Sequence, residues 1–189
     1  MSAQLVSTFA AQMPPPAALE AARRIRLLAL DVDGTLTCGQ LTFASDGREL
    51  KSFDVHDGMG MRLLRDAGIA VAIITARNSE VVSRRARDLG IEQLVQGSHN
   101  KADSLRVVCA ELGLTPSAAA FMGDDLPDLP AMRIAGLAIA PASAHPWVLD
   151  CVHWTTRARG GHGAVREACD GLLAAQGLAA AVLARYRGE

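Results

Sequence analysis

The stretch Leu27-Leu28-Ala29-Leu30-Asp31-Val32-Asp33-Gly34-Thr35 is the part of the chain that decides its fold. An apolar run from Arg26 to Val32 that ends in acids is typical of a buried strand in a parallel sheet. Asp31 and Asp33 are two positions apart, so in an extended chain their side chains point to the same side. The stretch therefore predicts a buried strand that brings two carboxylates to one edge of a sheet.

The rest of the chain alternates between strand-like and helix-like periods. The predicted strands are 69–75, 91–96, 119–122 and 137–140, and the predicted helices are 17–24, 58–68, 80–89, 100–112 and 129–134. Strands that alternate with helices imply right-handed crossovers and a doubly wound, mainly parallel, Rossmann-like α/β sheet. We divide the chain into an N-terminal arm with a short helix (1–24), one α/β domain (25–175) and a C-terminal helical tail (176–189).

A hairpin is predicted directly after the first strand. Ser45-Asp46-Gly47 separates two extended segments, 41–43 and 49–53, and Asp-Gly favours a tight turn because glycine tolerates positive φ. The hairpin would form a small flap beside the carboxyl end of the first strand.

Composition excludes several classes of partner. Nineteen Lys and Arg residues against twenty Asp and Glu give a net charge of −1, so no basic field is present to bind nucleic acid or an anionic membrane. No apolar run approaches the roughly 18 residues of a membrane span, and the N-terminus lacks the pattern of a secretory signal. The four cysteines are widely spaced, which indicates reduced thiols. We therefore expect a cytoplasmic protein that binds a small molecule.

Polar residues follow several of the predicted strands. In doubly wound sheets the ligand lies beyond the carboxyl ends of the strands. Asp31 to Thr35 closes the first strand, Thr75-Ala76-Arg77 the second and Gly123-Asp124-Asp125 a later one, with Lys101 between them. These are the parts that phosphate monoester hydrolysis needs, namely a nucleophile, a proton donor and strong screening by cations.

Each polar residue can be given a chemical role. Asp31 would attack phosphorus, while Asp33 would protonate the leaving oxygen and then activate water. Mg²⁺ prefers oxygen ligands, and Asp31, the carbonyl of Asp33 and Asp124 would suffice. Thr75 and Lys101 would bind phosphoryl oxygens. Simpler interpretations stay open: Thr75 also fits a polar strand end, Lys101 a solvated helix residue, and the acids after Gly123 a helix N-cap.

These motifs resemble those of haloacid dehalogenase superfamily phosphatases. The D-x-D-G-T motif matches Asp31 to Thr35, the Thr after an apolar strand matches Thr75, the Lys matches Lys101, and G-D-D-x-x-D matches Gly123 to Asp128. The resemblance implies that Asp31 is nucleophile and metal ligand, Asp33 the acid and base, and Asp124 the second metal carboxylate. It also implies that Asp125 and Asp128 support the metal site.

The spacing of the motifs leaves no room for a cap domain. Asp31 and Thr75 are 44 positions apart, and Thr75 and Lys101 are 26 apart. The flap, two helices and the intervening strands occupy these intervals. An uncapped site is open to water, so either the substrate is macromolecular or neighbouring subunits close the site.

A finer resemblance is to the 3-deoxy-D-manno-octulosonate 8-phosphate phosphatases. It covers about residues 25 to 175 and is carried by Phe53 to Gly58, Ile73 to Arg77, Gln96 to Lys101, Gly123 to Asp128 and Gly160 to Glu167. It implies a capless homotetramer in which the flap of one subunit helps to close the site of the next. It also implies a part in making the sugar acid of lipopolysaccharide.

The substrate of such an enzyme carries both a phosphate and a carboxylate, which calls for cationic side chains outside the metal centre. The predicted substrate-binding residues are Asp33, Asp54, Val55, His56, Asp57, Gly58, Arg62, Arg77, Arg85, Asn100 and Lys101. The arginines fit a solvated helix face equally well. The loop Gly160 to Gly163 could bind an anion or serve as a plain turn.

Three other functions would also account for some or all of these motifs. A phosphatase for a nonulosonate 9-phosphate would keep the chemistry and change the sugar acid. A phosphoacceptor signalling domain also uses a metal-bound Asp, a Thr and a Lys, but an acid and base at Asp33 would hasten loss of the phosphate. A catalytically idle interaction subunit would not need every motif residue intact.

Overall fold

A six-stranded parallel sheet runs through the centre of the molecule, and the strands that begin at residues 93, 70, 27, 119, 137 and 154 lie side by side in that order. The computed structural model describes residues 13–188, so most of the predicted N-terminal arm, residues 1–12, lies outside them. The strands of the sheet are β1 (Leu27–Leu30), β4 (Ala70–Ile74), β5 (Gln93–Val95), β6 (Ala119–Met122), β7 (Leu137–Ala140) and β8 (Trp154–Thr155). This is the doubly wound α/β fold expected from the sequence.

Helices cover both faces of this sheet. They are α1 (Pro16–Arg24), α2 (Val55–Asp66), α3 (Glu80–Leu89), α4 (Lys101–Glu111), α5 (Leu129–Ile134), α6 (Pro146–Leu149), α7 (Ala164–Ala175) and α8 (Ala179–Arg187). Short 3-10 helices occupy Pro116–Ala118 and Leu126–Asp128.

Alternate residues of β1 belong to two separate cores. Leu28 and Leu30 pack with α1, α2, α3 and α7, whereas Leu27 and Ala29 pack with α4, α5 and α6. All four side chains are fully buried. Burial on both faces explains why the strand reads as a continuous apolar run. It also places β1 between β4 and β6, at the middle of the sheet.

The flap is an antiparallel hairpin separate from the main sheet. It consists of β2 (Thr42–Phe43) and β3 (Glu49–Leu50), and Gly47 takes a φ of 84° in the turn between them. Residues 31–101, all of which the structure describes, contain no inserted domain larger than this hairpin. The prediction of a capless chain with a flap is confirmed.

Several boundaries differ from the prediction, and each has a local cause. Helix α2 begins at Val55 rather than Gly58, because the Asp54 side chain caps it by accepting a hydrogen bond from the His56 amide at 2.7 Å. Helix α6 and strand β8 were not predicted. They have four and two residues, too few for a period to be recognised.

Among residues 13–188, no single helix is long and apolar enough to cross a membrane. Helices α7 and α8 meet that criterion only when taken together, and their axes are bent by 107° at the break between them.

Candidate active site

Asp31 lies directly beyond the carboxyl end of the central strand β1. Its amide donates to the Met122 carbonyl at 2.9 Å, which extends the pairing between β1 and β6 by one residue. Thr75 follows β4 in the same way, since its amide donates to the Val95 carbonyl at 2.9 Å. Parallel strands end at the same edge of the sheet, so residues far apart in sequence meet there.

Asp31, Lys101, Asp124 and Asp128 form what we call the acidic cluster. The Lys101 ammonium lies 2.6 Å from Asp31 Oδ1 and 2.5 Å from Asp128 Oδ1, and all three of these residues are buried. One carboxylate oxygen from each of Asp31, Asp124 and Asp128 lies within 4.8 Å of the others. Lys101 thus pairs with two of the three carboxylates, those of Asp31 and Asp128.

Charge in this cluster is unbalanced. Burial, followed by repulsion from Asp128, raises the pKa of Asp31 to about 6. Burial, followed by repulsion from Asp31 and Asp128, raises the pKa of Asp124 to about 7. Burial lowers the pKa of Lys101, but the carboxylates of Asp31 and Asp128 outweigh it and the net change is upward. A divalent cation with oxygen ligands would relieve this excess of negative charge, so the residues fit Mg²⁺.

Asp128 already has partners for both of its oxygens. Oδ1 faces Lys101, while Oδ2 accepts hydrogen bonds from the amides of Asp124 at 2.9 Å and Asp125 at 3.1 Å. Asp125 and Asp128 form a capping box on the 3-10 helix that follows. The N-cap interpretation of these acids is therefore confirmed, and Asp128 also faces Lys101. The carboxylates of Asp31 and Asp124 remain the oxygen donors best suited to a cation.

Gly34 is needed where the chain turns away from Asp31. Its φ is 95°, and a Cβ there would overlap the carboxylate of Asp124. The loop Gly160 to Gly163 supports the same turn. The Gly161 amide donates to the Thr35 carbonyl at 3.0 Å, and a Cβ on Gly160 would overlap the Gly34 carbonyl oxygen. Within the chain this loop packs against the Asp31 to Thr35 segment.

A cavity of about 290 Å³ opens at this edge of the sheet. It is lined by Asp31, Asp33, Gly39, Thr75, Ala76, Arg77, Lys101, Asp124, Asp125, Pro127 and Asp128. The structure therefore brings together all four predicted catalytic residues, the predicted metal ligands and one predicted substrate-binding arginine, Arg77.

The other predicted substrate-binding residues do not line this cavity within residues 13–188. These are Asp54, Val55, His56, Asp57, Gly58, Arg62, Arg85 and Asn100. Val55, His56 and Arg62 are exposed on α2, and Asn100 caps α4 by accepting from the Asp103 amide at 3.2 Å. Asp54 and Asn100 are already engaged as helix caps, which their Asx side chains suit.

Asp57 has a structural partner instead of a place in the cavity. It is 1% exposed, and its Oδ1 accepts a hydrogen bond from the Arg166 amide at 2.7 Å, which ties α2 to the first turn of α7. Burial raises its pKa to about 6. Arg85 lies nearby, with its guanidinium over the Phe53 ring at 5.7 Å.

Two flap residues that were not predicted as site residues lie beside the cavity: Lys51 contacts Asp33, and Glu49 contacts Lys51. The Lys51 ammonium forms an ion pair with Asp33 Oδ1 and lies 3.4 Å from Glu49 Oε1. Glu49 in turn accepts from Ser79 at 2.8 Å and from Arg77 at 3.1 Å. Glu49 and Lys51 are two positions apart in an extended strand and so share a face. This spacing of two charged residues on either side of Leu50 is the sequence signal that could have indicated them, and Leu50 itself is exposed.

Comparison with known proteins identifies relatives of this chain. A family model described as haloacid dehalogenase-like hydrolase matches residues 55–136. The 3-deoxy-D-manno-octulosonate 8-phosphate phosphatase of Escherichia coli is 46% identical over 82% of this chain and 83% of its own length. That of Yersinia pestis is 45% identical over 84% of both chains.

Solved structures give the same result. The Yersinia pestis phosphatase superposes with a TM-score of 0.86 at 43% identity, covering 87% of this chain and 89% of that one. The Moraxella catarrhalis enzyme, solved with a magnesium ion, a phosphate ion and a molecule of the sugar acid, gives 0.87 at 42% identity, covering 89% of this chain and 97% of that one. With this identity spread over most of its length, the chain belongs to the 3-deoxy-D-manno-octulosonate 8-phosphate phosphatase family of haloacid dehalogenase-like hydrolases.

Proposed function

We propose that this chain hydrolyses 3-deoxy-D-manno-octulosonate 8-phosphate to the free sugar acid and inorganic phosphate, in the synthesis of the lipopolysaccharide sugar. The observation that carries the proposal is the acidic cluster, in which Asp31 pairs with Lys101 and lies close to the carboxylate of Asp124 at the wall of a cavity. Family membership supports the choice of substrate, since the relatives named above are phosphatases for this compound.

Asp31 is the proposed nucleophile. One of its carboxylate oxygens attacks phosphorus, the bond between phosphorus and the sugar oxygen breaks, and Asp33 gives its proton to the leaving sugar oxygen. Water then attacks the phosphorus of the aspartyl-phosphate, Asp33 takes a proton from that water, and inorganic phosphate leaves as the Asp31 carboxylate is restored. Two easier steps replace one hard displacement.

Lys101 and Thr75 are the proposed ligands of the phosphoryl oxygens. The Lys101 ammonium is held 2.6 Å from Asp31 by its second contact with Asp128, so it is fixed beside the nucleophile before substrate arrives. Such preorganised positive charge stabilises the transferring group most in a site shielded from water. A Mg²⁺ held by Asp31, the carbonyl of Asp33 and Asp124 would screen the phosphate charge from the attacking carboxylate.

The substrate carboxylate needs a cation outside this cluster, and Arg77 at the cavity wall is the first candidate. Its guanidinium is 46% exposed and so remains accessible to a ligand. Arg62 and Arg85, with Asp54 to Gly58 and Asn100, do not reach the cavity of their own chain. We propose that they bind substrate at the boundary with a neighbouring subunit.

Such a boundary agrees with the surface of the flap. Leu41, Phe43 and Leu50 are 50%, 58% and 50% exposed, although they are large apolar side chains on one small hairpin. Apolar side chains grouped in this way often mark a protein interface. We propose a homotetramer in which the flap closes the site of the next subunit, and a cytoplasmic location.

The test is a comparison of kcat/KM for the eight-carbon sugar acid 8-phosphate and a nonulosonate 9-phosphate, both with Mg²⁺. We expect the eight-carbon substrate to be preferred by at least about tenfold, which corresponds to about 1.4 kcal/mol of transition-state binding. Preference for the nine-carbon acid would overturn the substrate and leave the mechanism standing. If protein that binds Mg²⁺ hydrolysed neither compound, the proposal that the chain is a phosphatase for sugar acids would be overturned.

A further inference from the structure

We propose that Lys51 of the flap is a positioning residue that fixes the carboxylate of Asp33, with Glu49 as the anchor that holds Lys51 in place. The inference rests on the proposed function, because it gives Lys51 importance only through the acid and base role of Asp33.

The first observation is the burial of the lysine. The Lys51 side chain is 2% exposed, although it belongs to a hairpin whose apolar side chains face solvent. A buried ammonium is costly unless it is paired. Here it pairs with two carboxylates, Asp33 and Glu49, which are themselves only 22% and 17% exposed. The interaction is therefore shielded from water, unlike the usual ion pair on a surface.

The second observation is that these residues form a closed ring of alternating charges. Lys51 contacts Asp33 and Glu49, Glu49 contacts Arg77 at 3.1 Å, and Arg77 Nε lies 3.7 Å from the second oxygen of Asp33. Ser79 holds the other oxygen of Glu49 at 2.8 Å. Each carboxylate lies between two cations, so removing one member leaves its neighbours with fewer partners.

The third observation is that Lys51 reaches Asp33 from the flap, whereas Asp33 and Arg77 line the cavity. Among residues 13–188, the cavity lining includes both of them and does not include Lys51. Lys51 thus reaches Asp33 from outside the cavity. A proton donor must lie within hydrogen-bonding distance of the leaving oxygen, so its orientation controls the rate. The flap consequently contributes to proton transfer as well as covering the site.

The test exploits leaving groups of different basicity. The sugar alkoxide is strongly basic and needs a proton as it leaves. The nitrophenolate that leaves from p-nitrophenyl phosphate is much less basic and depends far less on a proton donor. We expect Lys51→Met to lower kcat/KM for the sugar phosphate by about 30-fold or more and that for p-nitrophenyl phosphate by less than about fivefold, within the usual range of general acid catalysis. Lys51→Arg should recover part of the loss, because it keeps the charge.

Two further variants complete the design. Glu49→Gln should show the same selective loss as Lys51→Met but a smaller one, since it weakens the anchor and leaves the ion pair with Asp33. Arg48→Ala is the matched control, because it removes a positive charge from the same hairpin at a side chain that is 78% exposed and pairs with Asp46. It should behave as wild type on both substrates.

Asp33→Asn in the same assay separates this inference from the proposed function. A selective loss in Asp33→Asn but equal losses on both substrates in Lys51→Met would assign Lys51 to flap packing and overturn the inference alone. Equal losses in Asp33→Asn would overturn the acid and base role of Asp33, and the inference with it. Thermal melts of each variant show whether the protein is folded. If Lys51→Met does not fold, the comparison of the two substrates is made with Lys51→Arg and Glu49→Gln.

Discussion

The acidic cluster and the flap lie side by side but are stabilised in different ways. Every member of the cluster is buried or half-buried, and its contacts come from β1, α4 and the segment after β6 of one chain. The flap is a two-stranded hairpin with exposed apolar side chains, and it is anchored through Lys51 and Glu49. An isolated hairpin is marginally stable in water. The comparison indicates that a single chain brings the acidic cluster together, whereas the flap beside it leaves large apolar side chains exposed.

The largest expected effect comes from breaking the cluster at its nucleophile. Asp31→Asn should lower kcat by at least about 1,000-fold, because an amide oxygen cannot form the acyl phosphate. Steady-state hydrolysis of the sugar phosphate measures it. Asp88→Asn, which changes an exposed acid on α3, is the matched control and should keep full turnover. Turnover at the wild-type rate in Asp31→Asn would remove Asp31 as nucleophile.

Removing the metal should abolish activity, and the stabilisation that added metal gives should depend on pH. Chelation should abolish turnover, and added Mg²⁺ should stabilise the fold by about 2.7 kcal/mol at a hundredfold excess over Kd. Because Asp31 and Asp124 have pKa values of about 6 and about 7, they must release protons before they bind a cation. The Mg²⁺-induced rise in Tm should therefore be larger at pH 8 than at pH 5. Equal rises at both pH values would contradict this.

Asp57 sharpens the comparison, because it is a buried acid outside the cluster. Its folded-state pKa of about 6 lies above the ordinary value of 3.8, so ionisation of this carboxyl destabilises the folded state. Its contribution to the free energy of unfolding is therefore greatest below pH 3.8 and is lost as the pH rises through 6. Asp57→Asn has no charge to bury. Between pH 4 and pH 7, wild type should lose roughly 2 kcal/mol more unfolding free energy than the variant, measured by urea titration. The difference should be the same with and without Mg²⁺. A difference that disappears with Mg²⁺ would place Asp57 in the metal site.

The smallest expected effect concerns the exposed face of the flap. Phe43→Ser should shift the protein to a smaller oligomer in light scattering and lower kcat/KM for the sugar phosphate by about tenfold, equivalent to about 1.4 kcal/mol. Val107→Ser is the control, since Val107 is 55% exposed on α4 and Phe43 is 58% exposed. An unchanged oligomer with an unchanged rate would show that the flap needs no neighbour.

Most of the fold could be predicted because its signals are local. Buried strands such as β1 and β6 read as apolar runs, and the helices between them have their own period and caps. The starting point of α2 was wrong by three residues because a cap at Asp54 allowed the helix to include Gly58. The short elements α6 and β8 carry no periodic signal: β8 forms by pairing with β7, and α6 is capped by the His145 side chain and buries Val148.

Only some of the predicted site residues line the cavity. Asp31, Asp33, Thr75, Lys101 and Asp124 follow strands or begin a helix at the functional edge, so topology alone brings them together. In the segment Asp54 to Gly58, the Asp54 side chain caps α2 and the Asp57 side chain accepts a hydrogen bond from the Arg166 amide at the start of α7. Sequence cannot distinguish a carboxylate that faces substrate from one that faces a backbone amide, because both need the same residue type.

The sequence by itself determined the order of strands and helices, the absence of a cap and the four polar segments that meet at one edge. It could do so because side-chain period and motif spacing are properties of neighbouring residues. Only the tertiary structure decided that Lys51 meets Asp33, that Asp128 is satisfied on both oxygens and that Asp57 faces α7. The contact of Lys51 with Asp33 joins residues 18 positions apart, that of Lys101 with Asp128 joins residues 27 apart, and that of Asp57 with Arg166 joins residues 109 apart. The geometry of these contacts depends on how the hairpin and helices pack against the sheet.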